Sequence, residues 1–232
     1  MKALEQRTIA LNEYQRIYDA TAVSPASYKK PVRIYCDING VIQPEGRSPE
    51  ELYRYQIHTT DVDVFPLDPS MFFGTGRMPV RQLSFWWNPA IIERLADLTR
   101  SPDVDFVWFT SWRVSAPYAL DELLGLNSLG FLDWHYERND RIQAHKKVQI
   151  IEDQKNSPSK FIWLDDRANI PPKGQSNPFA SIQYDGATGQ SSQIDRISSN
   201  QFLNIITSAK TGITMENLDA METWVKANTL KV

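Results

Sequence analysis

The chain has 232 residues, with 25 Lys and Arg against 28 Asp and Glu and a formal net charge of −3. That length suits one α/β core with an insertion, and the near balance of charge supplies no global basic field for nucleic acid or an anionic membrane surface. The single cysteine, Cys36, rules out an internal disulfide, and no signal-peptide core or membrane-length apolar run is present, so a cytoplasmic protein without a membrane partner is expected.

Taken in order, residues 2 to 20 carry Leu4, Leu11, Tyr14 and Tyr18 at roughly helical spacing, which predicts an amphipathic helix docked outside the main sheet. A turn-rich linker between Ser24 and Pro31 follows, so residues 1–30 read as an appendage and 31–232 as the core. The run Ile34-Tyr35-Cys36 ends in Asp37 and then Gly40, the pattern of a buried strand that delivers a carboxylate to its end. From about 42 to 87 the pattern is broken by Pro44, Pro49, Pro66, Pro69, Gly74, Gly76 and Pro79. This predicts a small flap or cap insertion, with pieces around 53 to 58 and 80 to 86 pairing as strands.

Asn88-Pro89 predicts a helix start, with Ile91, Ile92, Leu95 and Leu98 facing inward. A strand from Val104 to Phe109 then delivers Thr110-Ser111. Ser115-Ala116-Pro117 opens another helix, with Leu120, Leu123 and Leu124 inside and Gly125 closing it. An apolar piece around 129 to 134 reads as a strand, and His145-Lys146-Lys147 opens a helix with Val148, Ile150 and Ile151 on its apolar positions. Phe161-Ile162-Trp163-Leu164 delivers Asp165-Asp166. Residues 167 to 200 are rich in Pro, Gly, Ser, Asn and Gln and read as long loops. Phe202 to Ile206 is the last strand, and Thr214 caps a final helix with Leu218, Met221, Trp224 and Val225 inward. Strands alternating with helices predict an α/β fold with a doubly wound, mostly parallel sheet.

Three apolar strands thus end in small polar or acidic residues, and the carboxyl edge of an open α/β sheet is where ligands bind. If Asp37, Asp165 and Asp166 converge they repel, and the usual remedy is a hard divalent cation such as Mg²⁺ on oxygen ligands. Thr110 and Ser111 offer donors, and Lys146 or Lys147 offers a cation. Together these are the equipment for phosphoryl transfer through an aspartyl phosphate. Blander readings stand beside it. Asn39-Gly40 is a common turn, Thr110-Ser111 is a good helix cap, and both lysines suit a solvated helix face. Trp108 and Trp163 fit core packing, whereas Trp86, Trp87 and Trp112 lie near the expected mouth. His58, His135 and His145 show no metal-ligand spacing, and Cys36 reads as a buried, inert thiol.

The order Asp37-Ile38-Asn39-Gly40-Val41, Thr110-Ser111-Trp112, Lys146-Lys147 and Trp163-Leu164-Asp165-Asp166 resembles the four motifs of the haloacid dehalogenase-like (HAD) superfamily of hydrolases. The tryptophan-rich forms of the second and fourth motifs, with Thr211-Gly212-Ile213-Thr214 near the end, resemble the branch that also occurs in bacterial Swiss-army-knife RNA repair proteins. The resemblance spans roughly 32 to 225. It implies a HAD-like Rossmannoid fold with Asp37 as nucleophile and metal ligand. It further implies that the backbone carbonyl of Asn39 and a carboxylate of Asp165 or Asp166 complete a Mg²⁺ site. Thr110, Ser111 and Gly40 would meet the phosphoryl oxygens, and Lys146 or Lys147 would stabilise the charge of the nucleophile and the intermediate.

In phosphatases of that superfamily the second position of the first motif is Asp, which protonates the leaving oxygen. Here it is Asn39, whose amide has no titratable proton, and loss of general acid help costs about 10² to 10⁴ in rate. The leading expectation is a Mg²⁺-dependent phosphohydrolase acting on a phosphomonoester, either a small phosphorylated substrate or a nucleic-acid end. Good leaving groups, or another acid such as Glu45 or His58 in the flap, would compensate for Asn39. The alternative is a weak or inactive module that binds Mg²⁺ and a phosphorylated ligand or partner. Oligomeric state is left open.

Overall fold

A computed structural model of the chain describes residues 7–45, 57–133, 142–166, 183–185, 190–192 and 201–229. Its centre is a sheet in the order β10-β9-β11-β8-β2-β6-β7. These strands are β2 (Val32–Cys36), β6 (Val104–Trp108), β7 (Ser128–Phe131), β8 (Lys160–Asp165), β9 (Gln183–Asp185), β10 (Gln190–Ser192) and β11 (Phe202–Ile206). All neighbours are parallel except β10 on β9. The three strands expected to carry chemistry lie side by side, because β2 pairs with β6 on one flank and with β8 on the other. Residues 167 to 200, expected as loops, therefore supply two short edge strands; the remainder of that stretch lies outside the described residues.

Alternation along the central strands divides the core between two faces. Val32, Ile34, Cys36, Phe106, Trp108, Ile162, Leu164, Leu203 and Ile205 belong to the larger cluster. It is covered by α2 (Pro89–Thr99), α3 (Ser115–Leu124) and α5 (Met215–Thr229), which contribute Ile92, Leu95, Leu120, Leu218 and Met221. Tyr35, Val107, Phe109, Phe161, Trp163 and Phe202 form the opposite cluster with Ile150 of α4 (Ile142–Asn156). Helices on both faces are the doubly wound arrangement that the alternating pattern predicts.

Local signals set the helix ends. Asn88 Oδ1 accepts from the backbone of Ala90 at 3.0 Å and Ile91 at 3.4 Å, with Pro89 at the first helical position. Gly125 closes α3 at φ +64°. Thr214 and Asn217 cap α5 reciprocally, each backbone N–H donating to the other's side chain at 2.9 and 3.3 Å. Leu123, expected inside, is 39% exposed, because the inward stripe of α3 runs through Leu120 and Leu124. Val148 is likewise on the outer face of α4.

The helix expected over 2 to 20 is α1 (Leu11–Thr21). Ahead of it Thr8–Ala10 is extended, forming β1, which pairs antiparallel with β4 (Arg77–Pro79) inside the insertion. Residues 1–6 lie outside the described residues. Tyr14 of α1 is buried edge-on against Phe65, with ring centroids 5.1 Å apart, and Ala22 continues into a bridge with Phe131. In the insertion, β3 (His58–Val64) and β5 (Arg81–Trp87) form an antiparallel hairpin from His58↔Trp87 to Val64↔Arg81. The first strand of that pair is thus later than the expected 53 to 58, of which 53 to 56 lie outside the described residues.

Candidate active site

Asp37 directly follows β2 and still donates its backbone N–H to Leu164 O at 2.9 Å, so its side chain stands at the sheet's carboxyl edge. The chain then turns sharply. Val41 and Gln43 donate to Ile38 O at 3.1 and 2.9 Å, and Gly40 donates to Gln43 O at 2.8 Å with φ +71°. A Cβ at Gly40 would lie 2.8 Å from Asp166 Cγ, so glycine is required both by the backbone angle and by the approach of that carboxylate.

Lys146, in the first part of α4, reaches across to this edge. Its Nζ lies 2.7 Å from Asp37 Oδ2 and 2.7 Å from Asp165 Oδ2, and its side chain is 1% exposed. Burial works against the charged ammonium, but Asp165 and Asp37 outweigh it and raise the lysine above its ordinary value. The ring of Phe109 adds a cation–π contact at 5.7 Å. Asp37 Oδ1 is held separately by the backbone N–H of Ile38 at 2.8 Å.

Carboxylate oxygens of Asp37, Asp165 and Asp166 all lie within 4.8 Å of one another. Among the described residues, one lysine against three carboxylates leaves an excess of two formal negative charges in a largely buried place. An all-oxygen donor set with that excess fits a hard divalent cation.

Thr110 follows β6 on the neighbouring strand, buried at 1%, and its Oγ1 accepts the Trp112 backbone N–H at 3.3 Å. Ser111 beside it is half-buried. Asn39, two residues beyond Asp37, is exposed, and its Oδ1 accepts from Trp112 Nε1 at 3.1 Å. The structure thus brings Asp37, Asn39, Gly40, Lys146, Asp165 and Asp166 to one edge, with Thr110 and Ser111 at the end of the adjacent strand. Lys147 follows Lys146 on α4, and its side chain lies outside the described residues. Glu45 is half-buried, and its backbone N–H donates to Ala209 O at 2.6 Å. His58 is exposed on β3, edge-on to Trp87 at 5.7 Å. His135 lies outside the described residues, as does the side chain of His145.

Over residues 33–193, more than half of its length, the chain matches the model of the HAD domain in Swiss Army Knife RNA repair proteins. The chain belongs to this family. No curated protein and no solved structure matches it significantly.

Two contributors to this HAD domain escape the sequence reading. Thr207, just past β11, is buried and donates from Oγ1 to Gly40 O at 2.6 Å, fixing the turn behind Asp37. Its signal was available, since it is a polar residue ending an apolar strand, as at Asp37, Thr110 and Asp165. The second is the docking of the hairpin on the turn after Asp37 and on Trp112. Trp86 Nε1 donates to Pro44 O at 2.9 Å, and Phe85 meets Trp112 edge-on at 5.9 Å. The Thr211-Gly212-Ile213-Thr214 segment also acquires a role. Ile213 N donates to Val41 O at 2.8 Å, and Gly212, at φ +69°, passes so close that a Cβ would lie 2.4 Å from that same oxygen.

Proposed function

We propose that this HAD domain is a Mg²⁺-dependent phosphohydrolase that removes the phosphoryl group of a phosphomonoester through an aspartyl phosphate on Asp37. The observation that carries the reading is Lys146 bridging Asp37 and Asp165, with Asp166 in the same carboxylate cluster. Membership of a family found in RNA repair proteins supports a phosphorylated ligand, either a small molecule or a nucleic-acid end.

In this mechanism a carboxylate oxygen of Asp37 attacks phosphorus in line with the leaving oxygen, and water later cleaves the acyl phosphate. Lys146 offsets negative charge on the nucleophile and on the intermediate. Thr110, Ser111 and the backbone around Gly40 orient the phosphoryl oxygens. Asp37, Asp165 or Asp166 and the Asn39 carbonyl would hold Mg²⁺, which supplies further charge neutralisation at the transferring group.

The test is phosphate release from a panel of phosphomonoesters, including nucleotides and 5′- and 3′-phosphorylated oligonucleotides, with and without Mg²⁺. Metal-dependent turnover abolished by Asp37→Asn is the expected result, and turnover that survives this substitution sinks the mechanism. Asn39 favours a second reading, a module that binds Mg²⁺ and a phosphorylated partner without turning it over. A large gain of phosphatase activity in Asn39→Asp would support that reading.

A further inference from the structure

Asn39 is the place where the first motif departs from an acid, and its surroundings fix how its amide is turned. The indole N–H of Trp112 only donates, so it selects the amide oxygen of Asn39 and leaves the amino group, with both its N–H donors, for a ligand. Trp112 is itself held. Its backbone N–H donates to Thr110 Oγ1, its ring meets the fully buried Phe85 of β5, and it packs on the larger core cluster. The backbone at Asn39 is fixed by its bridge to Gln43. A donor is therefore pre-set on the exposed turn two residues beyond Asp37.

We infer that Asn39, its amide oriented by Trp112, donates a hydrogen bond to the oxygen that leaves phosphorus, and that the site suits substrates whose leaving oxygen departs as a weakly basic anion. The inference rests on the phosphohydrolase reading above and shifts its substrates: it disfavours alkyl esters, among them phosphorylated nucleic-acid ends, and admits acyl phosphates and anhydrides beside aryl monoesters. As Asp37 forms its bond to phosphorus, the bond to the leaving oxygen breaks and its electron pair stays on that oxygen. Asn39 stabilises the resulting oxyanion without transferring a proton, which arrives afterwards from water. Phenolates, carboxylates and phosphates leave readily on these terms, whereas an alkoxide does not. Aryl phosphates, acyl phosphates and phosphoric anhydrides are thus the favoured class. Trp112 is the positioning residue.

The experiment compares kcat/KM, with Mg²⁺, for aryl phosphates of graded phenol acidity and for an alkyl phosphate. The proteins are the wild type, Asn39→Ala, Trp112→Phe and the double variant. Asn39 is exposed, so Asn39→Ala keeps the fold, and Phe preserves the ring contact with Phe85. Wild-type rates should fall steeply as the leaving group becomes more basic, and Asn39→Ala should lose about 10²-fold on the poorer aryl esters. Trp112→Phe should lose about tenfold, and the double variant no more than Asn39→Ala alone, as expected for two residues acting as one unit. Additive losses, or a flat leaving-group profile, would overturn the inference and leave the phosphohydrolase reading intact. Absence of Asp37-dependent phosphate release from every ester overturns that reading and the inference with it.

Discussion

Arg33 and Asp153 form an ion pair with both side chains buried, and Asp153 lies about two helical turns beyond Lys146 on α4. The pair is reinforced from all sides. Tyr35 Oη accepts from Arg33 at 3.0 Å and donates to Asp153, Tyr28 Oη donates to Asp153 at 3.1 Å, and Arg33 Cζ lies 3.1 Å from the Tyr28 ring centroid. Burial, with Asp153 beside them, pushes both tyrosine hydroxyls up, which keeps them neutral donors. Arg33→Met should cost about 3 to 5 kcal/mol, because it strands a buried carboxylate. Urea unfolding measures the loss, and Arg33→Met with Asp153→Leu should recover much of it; a double variant as unstable as the single one would show that the charge is not the cause.

Lys146→Met removes the ammonium that lies between the carboxylates of Asp37 and Asp165. A loss of about 3 to 5 kcal/mol is expected in the presence of a chelator. Added Mg²⁺ should restore part of it by binding the folded state alone. Thermal unfolding with and without Mg²⁺ checks both, and equal metal-induced shifts in variant and wild type would contradict the expectation.

Gly40→Ala tests the approach of Asp166. The new Cβ meets Asp166 Cγ at 2.8 Å and forces an alanine to φ +71°, which costs about 1 to 2 kcal/mol and displaces that carboxylate. Calorimetric titration should show weaker Mg²⁺ binding, and unchanged affinity would remove Asp166 from the metal site.

Asp121 gives a pH signature. It accepts from Trp108 Nε1 at 2.7 Å and from Ser128 Oγ, yet burial outweighs these bonds and raises its carboxyl. The folded protein then binds this proton more tightly than the unfolded chain does. Its contribution to stability is full below the unfolded value near 3.9 and is lost as pH rises through the raised folded value. Asp121→Asn should therefore gain on the wild type between acid and neutral pH, as read from urea midpoints. A constant difference across that range would refute the assignment.

Cys36 is fully buried, and burial, with Asp37 adding to it, pushes its thiol well above the ordinary range. A disulfide reagent should leave the native protein unmodified and label one thiol per chain in urea. Rapid labelling of the folded protein would contradict this.

Most of the sheet was readable because its strands declare themselves locally. Ile34 to Cys36, Phe106 to Phe109 and Phe161 to Leu164 are unbroken apolar runs, each followed by a polar residue, and burial on both faces requires that composition. Short elements with distant partners were not readable. Thr8–Ala10 is too brief to show a period, and its partner Arg77–Pro79 lies some seventy residues on. The contact between Trp112 and Asn39 joins two loops, so no spacing in the sequence announces it. Leu123 was misplaced by identity, since a leucine next to the inward stripe looks the same in the sequence as one within it.

The pairing of β1 with β4, with Leu11 N donating to Gly76 O at 3.0 Å, gives the hairpin region a mooring outside the sheet. The strand pair that docks on Pro44 and Trp112 therefore hangs partly on Thr8–Ala10, a stretch outside the central sheet. Cargo fused just ahead of Thr8, or trimming that removes it, would act on that docked pair of strands while leaving Asp37, Lys146, Asp165 and Asp166 where they are.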